Sequence, residues 1–313
     1  MKVIVPFSYY YPEQCAGLNI IDDVLRACAQ EKIKSLLYVP TPTRNVPKGA
    51  KWEKDEVQEG GLMHIHRFWM YGEGKNPILR ALRYMFTEVA YLHALLWKDY
   101  DVIFLDSTPP IQGLKLPLVK LFRKKPVVHN AQDIFPDSLA GAGLAKKGGL
   151  LWKIGCWVSN ITYKYSDKII VISEDFKQTL MNKGVPEEKI VVVYNWVNEK
   201  LVVAVSKREN PFYSEFNLDR KKFRVVYAGN LGNAQNIDVI INSAARLKDH
   251  EQIEFVLFGS GGLESDIKKR IADEGLANMK MFPLQPVHKV SYVYSLGDLC
   301  ICLLYTSDAA DEA

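Results

Sequence analysis

Apolar residues recur along this chain first at strand length and then at helix period. Short runs of Val, Ile, Leu and aromatic residues fall at 2–7, 34–39, 63–68, 101–105, 126–129, 168–172 and 189–193, most of them separated by helix-length segments. This alternation predicts a parallel α/β sheet. Near "YNWVNEK" the pattern breaks, and a charged stretch from 207 to 222 precedes a fresh strand, "FRVVYAG". A second domain is expected there, running strand 223–228, helix 237–248, strand 253–258, helix 263–274, strand 279–282, helix 288–295 and strand 298–302. Four parallel strands make only part of a doubly wound domain.

The length, 313 residues at 48% apolar content, is enough for two ordinary domains with cores of their own. The formal net charge of +4 becomes +7 for residues 1–301, because Asp308, Asp311 and Glu312 fall in the last twelve residues, which hold no base. Such a surplus fits anionic partners, nucleotide phosphates or acidic lipid headgroups, or simply a basic solvated face. No nucleic-acid partner is expected. Cys15, Cys28, Cys156, Cys300 and Cys302 form no CxxC pair, which points to a reducing compartment and away from structural zinc. The apolar run of "MKVIVPFSYYYP" is too short for a signal peptide and reads as a first strand. Residues 78–97 contain Arg80, Arg83, Glu88 and His93, too polar for a membrane span, and read as a long amphipathic helix. A cytoplasmic location is the expectation.

Candidate chemistry gathers where strands end. In "YAGNLGNAQN" the following helix puts Ile237, Ile240, Ile241, Ala244 and Leu247 on one stripe, so it packs on the sheet with its N-terminus aimed at the strand ends. Free N–H groups and the helix dipole there suit a phosphate, with Gly229 and Gly232 admitting a ligand to the backbone. A tight strand-to-helix turn without a ligand is the alternative. "FGSGG" (Gly259, Ser260, Gly261, Gly262) repeats the logic after the next strand. In the first domain, "SYYYPEQCAG" places Gly17 where a second backbone could face the same ligand. "LDSTPP" and "NAQDIFPDS" put Asp106, Ser107, Thr108, Gln132 and Asp133 at the same carboxyl-end rim. Asp133 is the best candidate for a chemical role, or else an Asx turn ahead of Pro136. His64 and His66 alternate along one strand, and no metal site is expected from them.

The motifs "PEQCAG", "ISEDFKQTLMNKGVPEEKIVVVYNWV", "VYAGNLGNAQNIDVIINSA", "FVLFGSGG" and "YSLGDLCI" are similar to those of family 4 glycosyltransferases of the GT-B fold, two Rossmann-like domains facing across a cleft. The resemblance covers residues 1–301. With "STPPIQG", "QDIFPDSL", "GNLGNAQNI" and "PLQP" it extends to the bacterial branch that assembles surface polysaccharides such as O-antigen or capsule, N-acetyl-L-fucosamine transferases included. It implies domains at 1–196, on the acceptor side, and 197–301, on the nucleotide-sugar side. It also implies a retaining, metal-independent transfer from a nucleotide diphosphate sugar, UDP-linked, to a lipid-linked glycan, with no cofactor. The basic surplus and the 78–97 helix are compatible with peripheral contact at the inner membrane. By carry-over, Gly229, Asn230, Gly232 and Gln235 sit beside the diphosphate. Gly259, Ser260, Gly261 and Gly262, with Leu284 and Gln285, lie near the nucleoside, and Gly17 faces the phosphates. Asp133 and Glu13 are the candidate catalytic residues, orienting the acceptor, and Gln14, Asp106, Ser107, Thr108 and Gln132 bind it. Where many family members carry an Arg and Lys clamp, this chain has Asn230 and Gln235 with Asn236. A non-transferring GT-B protein, a nucleotide-sugar binding partner or an epimerase, is the alternative.

After "YSLGDLCI" the family continues with a Pro-Ser loop and a helix that hold the donor sugar. Here "CLLYTSDAADE" instead resembles a translated transposase-type sequencing adapter. Residues 302–313 are therefore expected to be an artefact, the second domain to be truncated, and the chain as written to be inactive.

Overall fold

The computed structural model describes residues 1–13, 17–43, 46–47, 49–72, 77–138, 146–197, 199–232 and 235–303. The candidate Gln14 and most of the adapter-like tail lie outside them. The chain divides into two compact units, the first ending at Trp196 and the second beginning at Val197.

The first unit is built on an eight-stranded sheet in the order β3-β4-β2-β1-β5-β6-β7-β8. Its strands are β1 (Lys2–Pro6), β2 (Lys34–Pro40), β3 (Asp55–Gln58), β4 (Met63–Phe68), β5 (Val102–Asp106), β6 (Val127–Ala131), β7 (Lys168–Val171) and β8 (Ile190–Val192). All neighbours are parallel except β3, which runs antiparallel to β4. Sequence pattern misses β3 because "DEVQ" has no apolar run; it is a short charged edge strand, the kind that discourages pairing with another chain. Helices α1 (Leu18–Gln30), α2 (Pro77–Trp97), α3 (Leu116–Arg123), α4 (Leu150–Tyr165) and α5 (Glu174–Asn182) connect the strands. Side chains alternate across a strand, so neighbouring residues of β1 serve opposite cores. Val5 packs with Leu18, Ile21 and Leu25 of α1, and Ile4 with Tyr91 and Leu95 of α2 and Val119 of α3.

The second unit has a fully parallel four-stranded sheet, ordered β11-β10-β9-β12, from β9 (Phe223–Asn230), β10 (Ile253–Ser260), β11 (Met279–Phe282) and β12 (Leu299–Ile301). Helices α7 (Asp238–Arg246) and α8 (Glu264–Asp273) contribute to one core, built around Ile240, Ile241, Leu257 and Ile267. The other core joins Val226, Val256 and Phe258 to Phe212 and Tyr213 of α6 (Phe212–Glu215) and to Val293 of α9 (Val290–Tyr294). The charged stretch at 207–222 is therefore more than a connector: its two aromatics are buried, and Phe212 meets Phe258 with ring centroids 5.9 Å apart. Charged residues on both flanks of this four-residue helix mask its two aromatics in the sequence. Beneath it Arg224 and Glu254, both buried, pair at 2.6 Å.

Candidate functional site

In the first unit β1 and β5 lie side by side while the connections leave them toward opposite edges of the sheet, and ligands of doubly wound folds bind at such a switch point. Ser8, just past β1, donates through Oγ to the Thr108 carbonyl at 3.0 Å, tying the loops after β1 and β5 together. Asp106 ends β5 in register with Asn130 of β6. Asn130 Nδ2 donates to Asp106 Oδ1 at 3.4 Å, Gln132 Nε2 to Asn130 Oδ1 at 3.0 Å, and Asn195 Nδ2 to Gln132 Oε1 at 2.9 Å. A line of amides thus joins Asp106 and Gln132 across the strand ends, and Asn130 and Asn195 are members that motif reading does not single out.

Asp106 is buried, and burial pushes its carboxyl up to about 6. The Thr108 and Ser107 N–H groups and the Asn130 amide oppose that push by favouring the anion, while the charge of Asp133 adds to it. Asp133 is exposed over part of its surface, yet desolvation raises its pKa as well. The two carboxyls line one cavity of about 60 Å³ together with Thr108, Gln112, His129 and Tyr163. That is room for a few water molecules. His129 is buried, desolvation lowers its pKa to about 4, and its Nδ1 has no hydrogen-bond partner among the described residues. It is a neutral imidazole beside two carboxyls of raised pKa, a set suited to orienting a hydroxyl and exchanging its proton. The signal for His129 in the sequence was its place on β6 three residues before Gln132; its burial could not be read there.

Glu13 does not join that cavity. Its side chain is buried and accepts from the Thr43 N–H at 2.8 Å and the Tyr10 N–H at 3.2 Å. It fastens the loop after β1 to the loop after β2. Arg67 adds to this from inside the sheet, donating to the Tyr11 carbonyl at 2.7 Å and the Glu53 carbonyl at 2.8 Å. Gly17 sits at the N-cap of α1, and a side chain there would meet open space. His64 and His66 occupy one face of β4; the His66 ring stacks on Tyr38 at 5.2 Å between centroids, and its Nδ1 lies 2.5 Å from Asp55 Oδ1.

In the second unit the two glycine turns lie against each other, with Gly259 registered on Gly229 and Ser260 on Asn230. Their closeness separates the roles of the glycines. A Cβ on Gly259 would come 2.6 Å from the Gly229 carbonyl oxygen, and one on Gly261 would come 2.4 Å from the Leu231 carbonyl oxygen. Backbone presses on both positions, so neither can take a side chain without the two turns moving apart. Gly262 faces open space, and Gly229 faces the hydroxyl end of Tyr227. Asn230 and Gln235, which stand where relatives are expected to carry cations, bond to each other: Nδ2 of Asn230 donates to Oε1 of Gln235 at 3.1 Å, as does the Gly232 N–H. A neutral pair can close this turn, where two cations would repel. Leu284 is exposed, and Gln285 Nε2 donates to the Pro283 carbonyl at 2.9 Å.

Two Rossmann-like units with polar and glycine-rich turns at the carboxyl ends of their parallel strands have the GT-B fold. The chain belongs to glycosyltransferase family 4: residues 19–201 match Glycosyltransferase Family 4, and residues 209–312 match Glycosyl transferases group 1. It is 26% identical over 209 residues to WbjE of Pseudomonas aeruginosa, named a probable glycosyltransferase, covering 65% of this chain and 50% of WbjE. It is 29% identical over 202 residues to WcaI of Escherichia coli K12, by name a colanic acid biosynthesis glycosyl transferase, covering 64% of this chain and 49% of WcaI. The matched stretch spans about half the length of these curated relatives. Among solved structures, Anabaena Alr3699/HepE in complex with UDP and glucose shares the fold with a TM-score of 0.64 at 13% identity, covering 96% of this chain and 73% of that one.

Proposed function

We propose that the protein transfers a sugar from a UDP-linked donor to a lipid-linked glycan in bacterial surface polysaccharide assembly. Transfer proceeds with retention, without a metal ion, at the cytoplasmic face of the inner membrane. The observation that carries this reading is the cavity at the ends of β5 and β6, where Asp106, Asp133 and neutral His129 converge on a space that one hydroxyl can enter. The acceptor hydroxyl is held there, and its proton passes to the departing phosphate as the glycosidic bond forms. The donor diphosphate lies against the turns of Gly229 and Gly262, where N–H groups and the start of α7 favour negative charge. The family membership and the UDP in the HepE structure support a nucleotide-sugar donor.

The test uses the protein extended to the length of its relatives, a radiolabelled UDP-sugar and a lipid-linked acceptor. Asp133→Asn should lower turnover by about two orders of magnitude, the scale of a misplaced acceptor, while the UDP dissociation constant changes less than about three-fold. Normal turnover would return Asp133 to a turn-forming role. Nucleotide release that proceeds equally well without acceptor would favour hydrolysis or epimerisation on this fold over transfer.

A further inference from the structure

Helices α2, α3 and α4 pack side by side on one face of the first sheet, and their outer surfaces carry apolar residues as their inner ones do. On α2 the inward stripe includes the buried Arg83 and Thr87, while Met85, Phe86 and Val89 face solvent, Val89 with 64% of its surface exposed. On α3 the outward residues are Leu118, Leu121 and Phe122, the last 66% exposed. On α4 the inward side carries Ser159 and Thr162, and Leu150, Ile154 and Trp157 point out. Single exposed apolar residues need no explanation, but rows of them on three adjacent helices mark an interaction surface.

The charge on this face selects the partner. The three helices contain one acidic residue, Glu88, and it is neutralised at 2.7 Å by the buried Lys115. The cations are spread around the apolar rows: Arg123 and Lys124 follow Phe122, Lys146 precedes the start of α4, and Lys153 and Lys164 lie on its exposed side. An apolar surface edged by exposed lysines, with Glu88 paired to Lys115 and the flanking Asp99 and Asp167 paired to Lys2 and Lys120, matches the interface of an anionic lipid bilayer, where rings and aliphatic chains enter the acyl boundary and lysines meet headgroup phosphates. No described helix is long and apolar enough to cross a membrane, so this contact is peripheral.

We propose that the α2–α3–α4 face docks the protein on an anionic membrane surface. This deepens the membrane side of the proposed function, and its test needs neither donor nor acceptor, so failure of either reading leaves the other standing. The 313-residue chain is sedimented with vesicles of phosphatidylcholine alone and of phosphatidylcholine mixed with phosphatidylglycerol. Binding should require phosphatidylglycerol and fall with added salt. Removing charge through Lys124→Gln or Lys153→Gln should weaken it about five-fold each. The pair Leu121→Ser and Phe122→Ser should weaken it by at least about ten-fold, while Val239→Ser, an exposed apolar change in the second unit, should leave it unchanged. Retained circular dichroism shows that the variants fold, and quenching of a single remaining tryptophan at Trp157 by brominated lipids reports insertion directly. Equal binding to neutral vesicles, insensitivity to Leu121 and Phe122, or unquenched Trp157 would overturn the proposal. So would sedimentation showing a dimer that buries Phe122 and Trp157 and stays off the vesicles, since a second copy would then own this face.

Discussion

Gly261 and Gly262 are adjacent, chemically identical, and expected to respond oppositely to the same substitution. In Gly261→Ala the new methyl would lie 2.4 Å from the Leu231 carbonyl oxygen, 2.7 Å from its carbon and 2.8 Å from the Leu231 nitrogen. All three atoms belong to the backbone of the neighbouring turn, which is itself fixed by the Leu231 N–H bond to the Ser260 carbonyl at 3.0 Å. Relief therefore requires the two turns to move apart, and overpacking of this kind costs about 1–3 kcal/mol. In Gly262→Ala the methyl meets nothing within 4 Å and the backbone is outside the left-handed region. Loss of glycine's freedom in the unfolded chain should then stabilise by about 0.4–1 kcal/mol. The gap between the two variants is expected to be about 1.4–4 kcal/mol. All six tryptophans fall in the first 196 residues, so fluorescence reports the first unit, whereas hydrogen exchange on β9 and β10 reports the second. Urea unfolding read by exchange should separate the variants while fluorescence midpoints coincide. Equal stability of the two variants would refute the packing argument and with it the division of the glycines into structural and ligand-facing ones.

Three further outcomes are expected. Gly262→Val should keep the fold and weaken UDP binding measured by calorimetry, because it fills the open side of the turn; unchanged affinity would remove Gly262 from the donor site. Asp106 and His129 should give the first unit opposed pH slopes. The carboxyl, raised to about 6, contributes stability that is lost as pH rises from about 4 through 6, whereas the imidazole, lowered to about 4, contributes stability that is lost as pH falls from about 6.5 through 4. Tryptophan-monitored urea midpoints should accordingly rise with pH in Asp106→Asn and fall with pH in His129→Gln over that window, relative to the wild type; parallel curves for all three would contradict the burial of both groups. Arg224→Met alone should destabilise the second unit by about 1.5–3 kcal/mol, because buried Glu254 loses both bonds to Oε2 while Lys280 stays 3.1 Å from Oε1, and adding Glu254→Leu should recover part of the loss. Recovery absent from the double variant would place the cost elsewhere than in the broken pair.

The architecture was legible in the sequence because its signals are local. A strand of alternating Val and Ile, a helix stripe such as Ile237, Ile240, Ile241 and Ala244, and a glycine turn between them each depend on residues a few positions apart. These local periods were enough to find seven of the eight strands of the first sheet and all four of the second. The exceptions, β3 and α6, are four residues each, too short for a period to be read, and both lie among charged neighbours. The rim residues Asp106, Thr108, Gln132 and Asp133 were found for the same reason, since position after a strand is a local property.

What those residues do was decided by tertiary structure. Asp106 acquires a raised pKa because its burial outweighs the Ser107 and Thr108 N–H groups and the Asn130 amide that favour its anion, and Glu13 becomes a loop clamp because Thr43, thirty residues on, presents its N–H. Gly261 is glycine because Leu231 of another turn crosses its open side. The outer face of α2, α3 and α4 is apolar only by virtue of which side the sheet took, and a helix period cannot tell its inward stripe from its outward one when both carry apolar residues. Burial, register and crossing are relations between distant segments, and the free energies that shift a pKa or forbid a methyl group arise only once those segments meet.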